Sequence, residues 1–397
     1  MIKNFIPYAL PSIGDEEINE VVDSLRSGWV TTGPKVKQFE QDFANYTGAR
    51  NAIAVNSCTA GLHLALIALD IGSGDEVIAP SLTFCSTVNV IEHCGARPVL
   101  VEVDNDFNIS VDAIEKAITP RTKAIIPVHY GGQACDLEPI YDLATKHGLY
   151  VIEDGAHAAG TTYQDKKIGS GELFYSLPRN AHSKNVVSYS FYATKNLTTG
   201  EGGMVVTEDN ELAEKIRLLT LHGMSRDAWK RYTNAGSWYY EVVEAGYKYN
   251  MTDIQAALGI HQLRKLDNFI NIRQKYAQIY NEAFSSIEEI ETPIHHNDRN
   301  HTYHLYVIRL KLEALRIDRA QFINKLREDN IGTSVHYIPV HLHPYYRKKY
   351  GYSEGSLPYT EKLYKQIISL PLYPKMSVDQ INYVAERVRK IINDFRK

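Results

Sequence analysis

The chain has 397 residues, 44% of them hydrophobic and 23% charged, a balance that excludes a disordered or fibrous protein. Its length exceeds the roughly 100–200 residues of a single domain and predicts two. Its 43 basic residues stand against 47 acidic ones, a net charge of −4, which leaves no basic excess to hold nucleic acid or anionic lipid.

The amino-terminal stretch MIKNFIPYALPSIGDEE is broken by Pro7 and Pro11 and then turns acidic. It is unlike a signal peptide, and no run approaches the roughly 18 apolar residues of a membrane span, so a cytoplasmic protein is expected. Between positions 50 and 207, β-branched runs predict strands at AIAV (52–55), EVIAP (76–80), PVLVEV (98–103), KAIIPV (123–128), YVIED (150–154), VVSYSFY (186–192) and GMVVT (203–207). Segments between the early runs, such as TAGLHLALIALD and DLEPIYDLATKHG, carry apolar residues at helical spacing. Alternation of this kind predicts an α/β fold with a mostly parallel sheet covered on both faces, and a ligand at the carboxyl ends of its strands. GxGxxG and GxxxxGK[ST] are both absent, which removes sequence support for a dinucleotide fold or a P-loop enzyme.

A long helical pattern over 251–284 leads away from the sheet. It predicts a large domain over 1–262 and a small α/β domain over 263–397. In the second, HLYVIRL (304–310) and GTSVHYI (332–338) read as strands and DRAQFINKLREDN (318–330) as a helix. SVDQ (377–380) reads as the capping box of the last helix. Cys58, Cys85, Cys94 and Cys135 have no C-x-x-C spacing and sit beside apolar residues, the pattern of buried free thiols. His341 and His343, with His336 nearby, form the best local histidine cluster. With no H-E-x-x-H and no supporting cysteine, no metal site is expected.

Four segments carry the chemistry. In NSCTAGLHLALIALD (56–70) a strand gives way to small residues and a helix, whose free N–H groups attract phosphate. Cys58 and Thr59 offer backbone donors and a hydroxyl, although ordinary capping by Ser57 or Thr59 explains the same residues. Phe84 stands at the end of another strand, placed to stack on a planar ring or to fill the core. Asp154 ends the strand of VIEDGAHAAG, where a carboxylate suits pairing with a protonated ring nitrogen; a helix cap is its other reading. His157, three residues on, reads as a cofactor contact or a partner of a neighbouring carbonyl. In SFYATKNLTTGEGGMVV (190–206), Lys195 lies between a strand and a glycine-rich turn. An amine partly withdrawn from water there loses proton affinity and can condense with an aldehyde, whereas a lone loop lysine is otherwise a solvated charge.

Taken together with GWVTTGPKVKQFE (28–40), GYKYNMTDIQAALG (246–259) and GTSVHYIPVHLHPYY (332–346), these segments resemble the DegT/DnrJ/EryC1/StrS family of sugar aminotransferases that depend on pyridoxal 5′-phosphate (PLP). The resemblance runs along almost the whole chain. It implies an aspartate-aminotransferase-like fold in which Lys195 carries PLP, Asp154 pairs with its ring nitrogen and His157 lies near its ring hydroxyl. It also implies phosphate contacts from Cys58, Thr59 and Ser190, a ring cover from Phe84, and Asn250 reaching the cofactor of the neighbouring subunit of a homodimer. The implied reaction moves an amino group from an amino acid, L-glutamate, to a nucleotide-linked keto sugar for surface polysaccharide. GYKYNMTDIQAALG and HGMSRDAWKR (222–231) look most like members that aminate C4. Amination of a 3-keto sugar or keto-inositol and a PLP-binding regulator without turnover are the alternatives. A sister class of dehydratases has histidine in place of the lysine, and Lys195 argues against it. His336 reads as a substrate contact or a structural histidine. Two features depart from the family: Cys58 stands where glycine or alanine is common, and segment 170–185 is longer than its counterpart.

Overall fold

The computed structural model describes residues 4–180, 183–224 and 239–397. Helices α1 (Asp15–Ser27) and α2 (Pro34–Thr47) precede seven strands: β1 (Asn51–Val55), β2 (Glu76–Pro80), β3 (Arg97–Val101), β4 (Thr122–Ile125), β5 (Tyr150–Asp154), β6 (Asn185–Ser190) and β7 (Gly203–Thr207). Between and after them lie α3 (Cys58–Ala68), α4 (Cys85–His93), α5 (Val111–Ala117), α6 (Leu137–His147), α7 (Gly171–Ser176) and α8 (Asn210–Leu219). The seven strands form one sheet in the order β1-β7-β6-β5-β4-β2-β3. Only β7 runs against its neighbours; every other pairing in the sheet is parallel.

Side chains alternate across a strand, and here both faces are covered. Val77, Ala124, Ile152, Val186 and Val205 pack on the face that carries α3 and α4. Ile78, Ile125, Val151, Val187 and Val206 pack on the other, with Phe39 and Phe43 of α2. The same alternation sends consecutive acids to opposite sides. Asp154 shares the α3 face with Ile152. Glu153 turns to the other, where His129 Nε2 (2.9 Å) and Tyr141 Oη (2.7 Å) satisfy it. Helix α3 lies so close to the sheet that a Cβ at Gly61 would run into Ser188 Oγ and Val205 Cγ2.

Helix α9 (Asp253–Phe284) is capped by a reciprocal Thr252–Gln255 box. Its amino-terminal half contributes Ala256, Ile260 and Leu263 to the core of the large sheet. Its far half contributes Tyr276, Tyr280 and Phe284 to a second core. That core lies on an antiparallel sheet of β8 (Ile290–Glu291), β9 (Tyr306–Leu310) and β10 (Ile367–Leu370), joined by α10 (Arg319–Glu328) and α13 (Val378–Phe395), with α11 (Pro344–Tyr350) and α12 (Pro358–Gln366) between those two helices. Ser377 and Gln380 cap α13 reciprocally, as their spacing predicts. At the start of α9, the Asp253 carboxylate accepts N–H bonds from Gly33 (2.7 Å), Lys35 (3.1 Å) and Val36 (3.0 Å), and so caps α2.

The expected strand over 332–338 does not form. Ser334 exchanges two backbone hydrogen bonds with Ser369, and Ile331 makes a single bridge to Ile6. The chain then leaves the sheet before Pro339, which has no N–H to continue a ladder. Among the described residues, no helix is long and apolar enough to cross a membrane.

Candidate active site

The carboxyl ends of β1, β2, β4, β5 and β6 deliver their loops to one cleft of about 490 Å³. Cys58, Thr59, Phe84, Asp154, His157, Ser190, Lys195 and His336 all line it, with Tyr8, Thr83, His304 and Tyr337. Asn250 does not. Its Nδ2 donates to Thr32 Oγ1 (2.7 Å) and its Oδ1 accepts from Lys248 Nζ (2.7 Å), beside a separate groove of about 600 Å³ that also borders Trp29 and Arg217.

At one end of the cleft, Ser57 caps α3 by accepting the N–H of Ala60 (3.1 Å). The cap leaves the first N–H groups of the helix, those of Cys58 and Thr59, to an outside acceptor. Backbone crowds closely there: a Cβ on Gly203 would lie 2.6 Å from Ser57 C, 2.7 Å from Cys58 N and 2.7 Å from Tyr189 O. The Cys58 thiol faces the floor instead, 3.2 Å from Ser188 O and 3.7 Å from Asp154 Oδ1. Any phosphate contact of Cys58 therefore falls to its backbone.

Asp154 is buried and accepts from Thr87 Oγ1 (2.8 Å) and the Ala156 N–H (3.1 Å). Burial raises its carboxyl pKa; these donors, Lys195 and His129 oppose the rise. It is an under-compensated anion, suited to a cation laid against it. Burial likewise lowers the Lys195 amine to about 8, against the opposing pull of Cys58 and Asp154. Near neutral pH such an amine supplies an appreciable fraction of the unprotonated nucleophile.

His157 is buried, accepts the Gly131 N–H at Nδ1 (3.2 Å) and meets Tyr337 Oη through Nε2 (3.0 Å). Nδ1 as acceptor assigns the proton to Nε2. Burial, Lys195, His336 and His129 hold the ring neutral. Both ring nitrogens thus have protein partners. Phe84 is 57% exposed, which removes the core-packing reading, and its ring lies 5.8 Å from that of Tyr337. His336 Nδ1 pairs with Ser369 Oγ (2.8 Å), its carbonyl accepts from Tyr130 Oη and its ring lies 5.3 Å from that of Tyr8.

Sequence reasoning passed over Thr83, Thr87, Tyr337, His304 and Tyr8. Thr87 sits three positions past Phe84 at the start of α4, and Tyr337 adjoins His336. Those two were within reach of the motifs. In the sequence His304 marks only the start of a strand, and nothing local marks Tyr8. His341 lies outside the cleft, buried between Ser81 Oγ (2.6 Å) and Glu361 Oε1 (3.0 Å). All four cysteines are free; Cys58 and Cys135 are buried, Cys85 and Cys94 half-buried. No described residue of segment 170–185 lines the cleft, and most of HGMSRDAWKR lies outside the described residues.

The DegT/DnrJ/EryC1/StrS aminotransferase family model matches residues 11–389. The spore coat polysaccharide biosynthesis protein SpsC of Bacillus subtilis is 52% identical over 391 residues, covering 98% of this chain and 97% of its own. The putative sugar aminotransferase Spr1654 of Streptococcus pneumoniae, solved in its PLP form, superposes with a TM-score of 0.88 at 33% identity, covering 98% of this chain and 99% of that one. PseC of Helicobacter pylori, an aminotransferase of pseudoaminic acid biosynthesis, superposes with a TM-score of 0.88 at 30% identity over 99% of this chain and all of its own. The cleft meets what PLP asks of a protein: open helix N–H groups for a phosphate, an amine of lowered proton affinity for an aldehyde, and a buried carboxylate for a ring cation.

Proposed function

Since the chain belongs to the DegT/DnrJ/EryC1/StrS aminotransferase family, and is a PLP-dependent sugar aminotransferase, we propose that it moves an amino group from L-glutamate to C4 of a nucleotide-linked 4-keto sugar. The product enters a surface polysaccharide, made in the cytoplasm by a homodimer with shared sites. The observation that carries the catalytic reading is the pairing, in one cleft, of a lysine amine lowered to about 8 with a buried carboxylate. The C4 assignment is supported by the likeness of GYKYNMTDIQAALG to members acting there. The polysaccharide setting is supported by the similarity to SpsC.

When bound, PLP supplies an aldehyde that accepts the amino group and a ring that draws electrons from the reacting carbon. The protein's own residues do the rest. Lys195 would carry the cofactor and, once displaced by substrate, would take a proton from the substrate carbon on its Nζ and deliver it to the cofactor carbon that bore the aldehyde. Asp154 would pair with the ring nitrogen, His157 would lie near the ring hydroxyl and Phe84 would cover the ring. The N–H groups of Cys58 and Thr59 and the Ser190 hydroxyl hold the phosphate. Asn250, outside the cleft of its own chain, serves that of its neighbour.

Purified protein loaded with PLP should release 2-oxoglutarate from glutamate and then aminate one of a panel of UDP- and dTDP-linked 4-keto-6-deoxy sugars. Turnover only with 3-keto sugars would overturn the C4 assignment. Borohydride reduction and peptide mapping should place the label on Lys195; a label elsewhere removes the catalytic reading. Mixing Lys195→Ala and Asn250→Ala proteins, each inactive alone, should restore activity through hybrid dimers, and no recovery would refute shared sites.

A further inference from the structure

His341 stands outside the cleft, yet it grips the residue from which one cleft wall begins. Its Nδ1 meets Ser81 Oγ at 2.6 Å and its Nε2 meets Glu361 Oε1 at 3.0 Å. Glu361 Oε1 also accepts the N–H groups of Gly355 (2.9 Å) and Leu357 (3.3 Å). A carboxylate held this way only accepts, which puts a proton on His341 Nε2 and leaves Nδ1 to Ser81. Serine, histidine and carboxylate in this order are the parts of a hydrolytic nucleophile. Ser81 and His341 are both 0% exposed, so no substrate reaches them, and the chain of contacts serves position instead. Ser81 directly follows β2, and Thr83 and Phe84 of the cleft come two and three residues later. Its main chain is clasped as well: its N–H donates to Val101 O (3.0 Å) and its carbonyl accepts from Val340 N–H (2.8 Å). On the other side of the clasp, Tyr337 of the neighbouring wall stands four residues before His341. The rings of Phe84 and Tyr337 lie 5.8 Å apart. The same segment of the small domain has other anchors on the large one: Tyr346 Oη donates to Asn89 Oδ1 (2.6 Å) and Thr360 N–H to Glu102 Oε2 (2.7 Å). What the imidazole adds is a side-chain hold on Ser81, the point where the two walls join.

We propose that His341 is a positioning residue that acts through Ser81 to set the spacing of Phe84 and Tyr337, and with it the seat of the cofactor ring. The inference rests on the reading of Lys195 as the cofactor-bearing residue of this cleft. Glu361 orients the imidazole, and Ser81 passes the restraint to Thr83 and Phe84. Loosening that wall leaves Lys195 and the start of α3 in place, since they stand on other loops. Cofactor retention then changes little, while the alignment of the reacting groups suffers. Such a fault lowers the maximal rate more than it lowers substrate affinity.

Three variants of the PLP-loaded enzyme separate this role from a purely structural one. His341→Leu has no polar atom, and Ser81→Ala lacks the hydroxyl. His341→Asn keeps a polar atom at the place of Nδ1 but gives up Glu361. The Leu and Ala variants should each lose about tenfold in the maximal single-turnover rate with glutamate, with the half-saturating concentration within about threefold. Combined, the two changes should cost no more than either alone, because both cut the same link. The visible circular dichroism of bound PLP, which reports how the ring sits, should change in the same two variants before substrate is added. The Asn variant should keep most of the rate and the unaltered dichroism, although it melts lower without the Glu361 contact. Should the Leu variant fail to fold, the Ala and Asn variants carry the same comparison. An Asn variant as slow as the Leu or Ala variant, losses that add in the double variant, or an Ala variant with unchanged rate and dichroism overturns the inference and leaves the proposed function standing. A borohydride label elsewhere than Lys195 in the unaltered enzyme overturns both. An unaltered enzyme labelled at Lys195 but inert to glutamate overturns the donor assignment alone, and the dichroism of the variants then decides the role of His341.

Discussion

Thr87 Oγ1 donates to Asp154 Oδ2 at 2.8 Å. Its only proton is spent there, so the 2.8 Å contact between Thr83 and Thr87 must run with Thr83 as donor. The chain of hydroxyls points at the carboxylate and favours its ionised form. Thr87→Val keeps the shape and removes the donor. We expect a loss of about tenfold or more in the glutamate half-reaction. Less support for the anion raises the pKa of Asp154, so the acid limb of the pH profile should move to higher pH. Thr87→Ser should restore both, and an unmoved limb in the Val variant would remove Thr87 from this role.

Asp154 also sets a conflict between stability and activity. Its folded pKa is raised above the ordinary 3.8, so its favourable contribution is complete below that value and is lost as pH climbs through the folded pKa. At neutral pH the cofactor-free protein carries the cost of a buried charge. Asp154→Asn should therefore raise the thermal stability of the apoprotein, by on the order of 1 kcal/mol, while reducing turnover by at least a hundredfold. Thermal melts with and without PLP check the first part; a variant less stable than the parent when both lack cofactor would contradict it.

Covalent uptake of PLP by the apoprotein should report Lys195 directly. The unprotonated amine reacts, so the rate should rise with pH and level off through an inflection near 8. Asp154 raises the pKa of this amine, so Asp154→Asn should shift the inflection downward. Stopped-flow absorbance over pH 6 to 10.5, about the range from below this inflection to the free lysine value, measures it. A rate still climbing at the top of that range would show an ordinary lysine.

Gly203 is the tightest point of the phosphate end. A methyl there meets backbone atoms of Ser57, Cys58 and Tyr189, which cannot swing aside as a side chain would. Gly203→Ala should lower stability by about 1–3 kcal/mol and weaken PLP binding by displacing the start of α3. Equilibrium unfolding and PLP titration would show it, and unaltered cofactor affinity would mean that α3 does not hold the phosphate.

Where the signal is local, the chain is easily read. The apolar runs at Ile78, Ile125, Val151 and Val187 mark strands buried on both faces, and the Ser377–Gln380 spacing marks a cap that forms. Lys195 and Asp154 were legible because each ends or follows such a strand, where a parallel sheet gathers its loops. The rest depends on distant partners. Tyr8 reaches the cleft because Ile6 N–H donates to Asn330 O and Gly332 N–H to Ile6 O, pairings that no spacing announces. The segment at 332–338 has the composition of a strand and became a cleft wall because, past Gly332, only Ser334 finds a backbone partner there.

Asp253 ties the first turn of α2 to a point 220 residues further along the chain. During synthesis on the ribosome, Gly33, Lys35 and Val36 emerge long before the carboxylate that receives their N–H groups. The second helix must therefore wait with a frayed end until most of the polypeptide has been made. Closing so long a loop is slow, which makes this joint a late event in maturation and a weak point for any truncation that stops short of residue 253.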